Sequence, residues 1–169
     1  MVSKRSCGEC EVCCIFLDVP DLGKSAGVQC RFLNRGGRGC SLHGTSLQIR
    51  VCETWQCFWK QGKMKEAHRP DKVGMVAFYS DKSQTYPNGV ISVIEVEEGA
   101  IAANEDAKEA ILKISDETGI CTRLKLTSGE DVFVVPKKAE ALYKDLDSLI
   151  AFKKRLTAAL QAKNVSEDK

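Results

Sequence analysis

Four cysteines fall within eight residues, Cys7-Gly8-Glu9-Cys10-Glu11-Val12-Cys13-Cys14, and four more follow at Cys30, Cys40, Cys52 and Cys57. Eight of the nine cysteines thus precede residue 58, and only Cys121 lies beyond. Thiols at this density limit what the segment can fold into. It has little other apolar mass, so cysteines packed as small hydrophobes would leave it without a core, and a segment this short needs a staple to hold a shape. The spacings point to metal ligands, since Cys-x2-Cys is a common zinc knuckle. The adjacent pair Cys13-Cys14 adds a constraint. Consecutive side chains diverge, so the pair suits two neighbouring metals, or two corners of one cluster, better than a single ion.

The rest of the composition fits this picture. Met1 to Ser6 is polar, and the run from Val12 to Val19 is broken by Cys13, Cys14 and Asp18, so no secretory signal is visible. No stretch approaches the roughly 20 apolar residues of a membrane span. The expectation is a cytoplasmic chain away from the membrane, with reduced thiols that act as metal ligands or redox groups rather than disulfides. Residues 1–70 carry 11 Lys/Arg against 6 Asp/Glu, a surplus of five; the formal charge of +2 for the whole chain leaves −3 for the remainder. These bases are interleaved with the cysteines. They are read first as offsetting metal-bound thiolates, and only second as a nucleic-acid face.

The order of elements predicts an α+β chain in two parts: an irregular cysteine-rich metal-binding module over residues 1–69, then a small antiparallel sheet with two helices over 70–169. In the first part Ile15 to Val19 reads as a short extended piece stopped by Pro20. Gly36, Gly37 and Gly39 allow positive φ in a tight loop delivering Cys40. Leu47, Val51, Trp55 and Phe58 or Trp59 recur at helical spacing, predicting a helix over 45–60 capped by Thr45 or Ser46. Cys52 and Cys57 would lie on different faces of such a helix, so either it breaks between them or one of them faces away from the site. Trp55, Phe58 and Trp59 read as packing over the site, and Gln61 to Pro70 as a basic boundary.

In the second part Val73–Ser80 and Val90–Glu97 read as strands around the turn signal Tyr86-Pro87-Asn88-Gly89. Asn104 can cap a helix to about Glu117. Ile120–Thr127 and Asp131–Val135 are two further strands, and a long helix runs from Pro136 to Ala162 with a leucine-rich stripe.

The remaining chemistry-bearing residues are few. His43 stands three residues after Cys40, a legitimate ligand spacing, but eight cysteines already complete two tetrahedral sites. His68, beside Arg69-Pro70, is expected in solvent. Cys121 is read as an isolated thiol, and Glu95, Glu97 and Glu98 as a solvated strand edge. No phosphate loop, nucleophile elbow or His-Glu metalloprotease helix is present, which leaves catalysis open.

Cys7-x2-Cys10-x2-Cys13 resembles the ligand triple of bacterial ferredoxins, which take a fourth ligand from farther along the chain. More broadly, Cys7-x2-Cys10-x2-Cys13-Cys14, then Cys30-Arg-Phe-Leu, Gly39-Cys40-Ser-Leu-His43 and Arg50-Val-Cys52-x4-Cys57-Phe-Trp59, resemble the bacterial CxxCxxCC (YkgJ-like) family, described as zinc- or iron-chelating proteins. The likeness covers about residues 7–60. The chain departs from it in having Gln48-Ile49-Arg50 where a proline is common. It implies that Cys7, Cys10, Cys13, Cys14, Cys30, Cys40, Cys52 and Cys57 are the ligands of zinc or of iron in an iron–sulfur cluster. Related clusters occur in flagellin lysine N-methylases. Three functions follow in descending order. The first is a metal-binding protein whose site holds an interaction module for a protein partner. The second is an iron–sulfur redox or protein-modifying enzyme. The third is a zinc-dependent nucleic-acid module using Arg31, Arg35, Arg38 and Arg50.

Overall fold

Two β-rich runs in the second half build the scaffold. The computed structural model describes residues 5–7, 9–34, 39–80 and 89–137. Strands β1 (Met75–Ser80) and β2 (Val90–Glu95) pair antiparallel, with Met75 opposite Glu95 and Ser80 opposite Val90. The chain then forms α4 (Ala100–Ala103) and α5 (Glu105–Thr118) before β3 (Thr122–Lys125) and β4 (Asp131–Val134). The order across the sheet is β1-β2-β3-β4.

The sheet is mixed, not antiparallel as expected: β3 runs parallel to β2, with Ile91 opposite Thr122 and Ile94 opposite Lys125. The reason is the connection. A tight turn returns the next strand antiparallel, whereas a helix between two neighbouring strands carries the chain back to its starting end. Only β1/β2 and β3/β4 are antiparallel. The long helix expected from Pro136 lies, beyond Lys137, outside the described residues, as does the turn signal at 86–88.

The period-two alternation of β1 and β2 separates two apolar layers. Met75, Ala77, Ile91, Val93 and Leu124 face one way and are covered by Ala107 and Ile111 of α5, with Ile101, Phe58 and Met64 around them. Phe58, Ile91 and Ile111 are almost fully buried. Each such side chain contributes about 1.5–3 kcal/mol relative to exposure. Val76, Phe78, Ile94 and Val96 face the other way, and there the cysteine-rich segment covers them through Val12, Leu17, Cys57 and Trp59. The two expected modules thus share an apolar layer across residues 69 and 70.

Several local expectations change. Residues Val12–Phe16 form one helical turn, α1, where an extended piece was expected from Ile15. A turn of helix stacks Val12 with Phe16 and Cys13 with Leu17, and all four pack on the sheet, which alternation could not achieve. The helix expected over 45–60 shrinks to α2 (Arg50–Thr54), with Ile49 at its N-cap and no side-chain cap. Thr45 instead turns the chain before it: its hydroxyl donates to the Leu42 carbonyl and accepts from the Leu47 N–H.

The supposed boundary at Gln61–Pro70 is well anchored. Met64 and His68 are buried, and the Trp59 indole donates to the Glu66 carbonyl at 3.2 Å. Glu66 to His68 form a 3-10 turn that leads into the one-turn helix α3 (Pro70–Val73). His68 was expected in solvent. It is buried because this turn folds it against α5, where Nε2 lies 2.9 Å from an Asp106 carboxylate oxygen. Gly74, at φ 62°, follows α3; a Cβ there would stand 2.7 Å from that of Ala100, so only glycine lets α3 and α4 close over the start of β1. Glu95 is likewise no solvated edge. Its carboxylate is buried, accepting from the backbone N–H of Ile101 and from the N–H and hydroxyl of Thr127.

Candidate metal centre

Three pieces of chain bring the thiols together, and each does so for a local reason. The first is α1. Cys13 joins the layer on the sheet with Val12, while Cys14, one residue and about 100° further round, lies outside that layer. Cys10 sits one turn earlier and joins the same apolar layer as Cys13. Arg5 pins the chain just ahead of Cys7: its guanidinium donates to the carbonyls of Trp59 (2.8 Å) and Met64 (2.7 Å) and lies over the Trp59 ring.

The second piece is α2, which carries Cys52, and the stretch after it. Trp55 has extended dihedrals (φ −74°, ψ 133°), so the helix breaks between Cys52 and Cys57. From there the chain runs beside β1, held by the Phe58 N–H on the Ala77 carbonyl (2.8 Å). Alternation then puts Phe58 in the helix-covered core and Cys57 with Trp59 on the opposite side. Trp55 packs edge-on against Phe78, centroids 5.2 Å apart.

The third piece is the loop from 25 to 48, which carries Cys30 and Cys40. The Cys30 N–H donates to the Cys14 carbonyl at 2.9 Å, and Leu33 bridges Cys40. Gly39, at φ 95°, gives its N–H to Glu11 Oε1. Gly39, the residue before Cys40, is thereby fastened to the start of α1 with the positive φ expected there; Gly36 and Gly37 lie outside the described residues.

All eight cysteines expected as ligands line one cavity of ≈160 Å³, together with Trp55, Trp59 and Lys24. Cys121 does not border it; that half-buried residue meets β2 through its carbonyl, which accepts from the Ile91 N–H. His43 borders the cavity from an exposed position. Among the described residues, no three His, Cys, Asp or Glu side chains stand close enough to hold an ion as placed. The thiols ring the cavity rather than close on one point.

The electrostatics sort the thiols by neighbour. The charges of Cys14, Cys30 and Cys40 act on Cys52. Cys13 meets Cys14, and beyond it Cys7 and Cys10; Cys57 interacts with Cys7, and Cys10 with Cys57. Burial pushes the Cys10 thiol up to about 11 and raises those of Cys52 and Cys57. A hydrogen bond between Cys13 and Cys14 holds Cys13 well above its ordinary value. The same bond, aided by Lys24, brings Cys14 down to about 7 against the effect of burial.

Backbone donors also point at sulfur. Cys40 Sγ accepts from the Leu42 N–H at 3.4 Å, Cys10 from Val12, and Cys57 from Trp59 and Lys60. The N–H two residues on is used each time, and it favours the thiolate over the thiol.

The sequence reading missed the charges around these thiols. Lys24 is buried, its ammonium donating to the carbonyls of Ile15 and Leu17 at the end of α1. Asp71 hydrogen-bonds Cys10 and is itself gripped by Arg69 at 2.6 and 2.8 Å. Neither had a signal in the spacing: Lys24 sits in a Gly-Lys-Ser loop, and Asp71 follows a proline in what looked like a linker. No family model matches this chain, nor does any curated protein or solved structure, so its likeness to the CxxCxxCC proteins stands on the quoted motifs alone.

Proposed function

We propose that this chain is a metal-binding protein in which Cys7, Cys10, Cys13, Cys14, Cys30, Cys40, Cys52 and Cys57 hold zinc, or iron as an iron–sulfur cluster. The observation that carries this is the convergence of these eight residues, drawn from three separate stretches, on one cavity that leaves Cys121 out. An all-sulfur donor set suits soft or borderline metals, above all zinc and iron–sulfur clusters. Backbone N–H groups on Cys10, Cys40 and Cys57 favour the deprotonated ligand, and Lys24 offsets the negative charge it brings. When bound, the metal cross-links the three stretches, and uptake draws the ring of thiols inward.

Metal analysis with a visible spectrum on anaerobically purified protein tests this. A stoichiometric, colourless zinc protein supports a structural site that presents an interaction surface to a protein partner. A brown protein with iron and sulfide supports the alternative, a redox or protein-modifying iron–sulfur enzyme, possessing the same ligands. Protein that purifies folded with neither metal, and takes up neither on reconstitution, overturns the reading. The third function, a nucleic-acid module, gains nothing from the geometry: Arg31 and Arg50 are exposed but tied to no shared groove, and Arg35 and Arg38 lie outside the described residues.

A further inference from the structure

We infer that the eight thiols form two unequal four-sulfur sites, an inner one of Cys7, Cys10, Cys13 and Cys57 built on the sheet, and an outer one of Cys14, Cys30, Cys40 and Cys52 built from loops, and that the outer site is the one that exchanges its metal. This rests on the metal-binding reading above and adds a division of labour to it.

The division follows from packing. Cys10, Cys13 and Cys57 belong to the apolar layer that covers Val76 and Phe78 of β1, together with Val12 and Trp59. Cys7 is held to the same layer by Arg5 on the Trp59 ring two residues before it. The outer thiols have no place in that layer. Cys14 lies outside that layer, and its carbonyl receives the Cys30 N–H. Cys40 is joined to that strand of loop through Leu33. Cys52 lies on α2, a five-residue helix with no buried residue, and is itself exposed, whereas Cys57 is buried.

The adjacent residues Cys13 and Cys14 thus stand at the seam, one for each site, and four thiolates complete each tetrahedral set. Removing the inner metal must disturb the face of β1. Removing the outer metal lets three of its four ligands go by motion of α2 and the loops of Cys30 and Cys40 alone, because α2 buries no residue that could resist opening. Lys24 lines the same cavity, its ammonium seated on the Ile15 and Leu17 carbonyls just past Cys14.

The test uses the full chain loaded with zinc alone and challenged with a chromogenic chelator, while amide exchange is followed in β1 and β2. The expected result is about two equivalents of zinc per chain, released in two phases of equal size, the faster at least ~10-fold quicker, the scale on which a supporting shell alters a metal site. Protection of Met75–Ser80 should survive the fast phase and fall only with the slow one. Cys52→Ser, at an exposed position on α2, and Cys30→Ser, at a half-buried loop position, should each stay folded, keep one equivalent and lose the fast phase. Lys24→Gln should speed the fast phase and leave the slow one alone.

Two equivalents that leave together, or a fast phase that takes β1 protection with it, overturn the inference and leave the metal-binding reading standing. Loss of both equivalents in Cys52→Ser does the same. A chain that takes up no zinc and no iron fails at the reading beneath.

Discussion

The two faces of the same sheet are held by different physics. On one, α5 lays Ala107 and Ile111 against Ile91, Val93 and Leu124, a closed apolar contact. On the other, Val12, Leu17 and Trp59 cover Val76, and half-buried cysteines fill much of the remainder. The first face needs nothing from outside the chain. The second packs apolar side chains on the strands and beyond them lines a cavity with eight thiols set among apolar residues such as Leu22, Phe32 and Val51, with Lys24 buried beside them. A metal would add to the second face and leave the first unchanged.

Stripping the metal should separate the faces most sharply. After chelation, amide-exchange protection is expected to vanish over residues 9–34 and 39–54 and to persist at Ile91, Val93 and Ile111. Equal loss on both faces, or none on the thiol face, would break the comparison. Next in size is Ile111→Ala, a cavity in the helix-covered core. It should cost about 2–5 kcal/mol in denaturant unfolding, by the same amount with and without metal. A cost that depended on metal would mean the faces are not independent.

Glu95 gives the helix-covered face a pH dependence. Burial works to raise its carboxyl, but donors from Thr127 and Ile101 outweigh it, so the folded value lies below the ordinary one. A carboxyl depressed on folding stabilises the protein above its ordinary pKa, and that contribution is lost as pH falls through the folded value. Glu95→Gln should cost about 1–3 kcal/mol at neutral pH, with the gap to the parent closing in acid below the ordinary ~4.3. Parallel pH–stability curves would contradict this. Arg5→Ala should cost less, about 0.5–1.5 kcal/mol for its hydrogen bonds, and should loosen the Cys7 end while sparing α5, as read by amide exchange. The smallest effect belongs to Cys121→Ser, which should retain the full metal content; a drop would place a ligand outside the cavity.

Legibility followed the range of the interaction. β1, β2 and α5 were readable because their signals are local: β-branched runs, the Asn104 boundary and the Ala107/Ile111 spacing. Asn104 does precede α5, although its amide caps nothing there and donates instead to the carbonyls of Val73 and Ala100. His68 and Glu95 were misjudged because polar residues look alike in sequence whether exposed or paired. What buries them, Asp106 for one and Thr127 for the other, lies more than 30 residues away. The broken helix at Thr54 was left open by the Cys52–Cys57 spacing and resolved by a single hydrogen bond from Phe58 to β1.

The sequence by itself determined which residues gather at the cavity. Spacing and density mark eight cysteines and leave out Cys121, and these same eight line the cavity. It determined the strands and the central helix through their periodicity. Only the tertiary structure decided that β3 runs parallel to β2, that α1 is a turn of helix, and that Cys13 joins the layer on the sheet while Cys14 lies outside it. Each of these depends on contact with a distant surface. A one-residue difference in position decides the side on which a thiol falls, and the surface that gives that side its meaning, β1, is made more than 60 residues later in the chain.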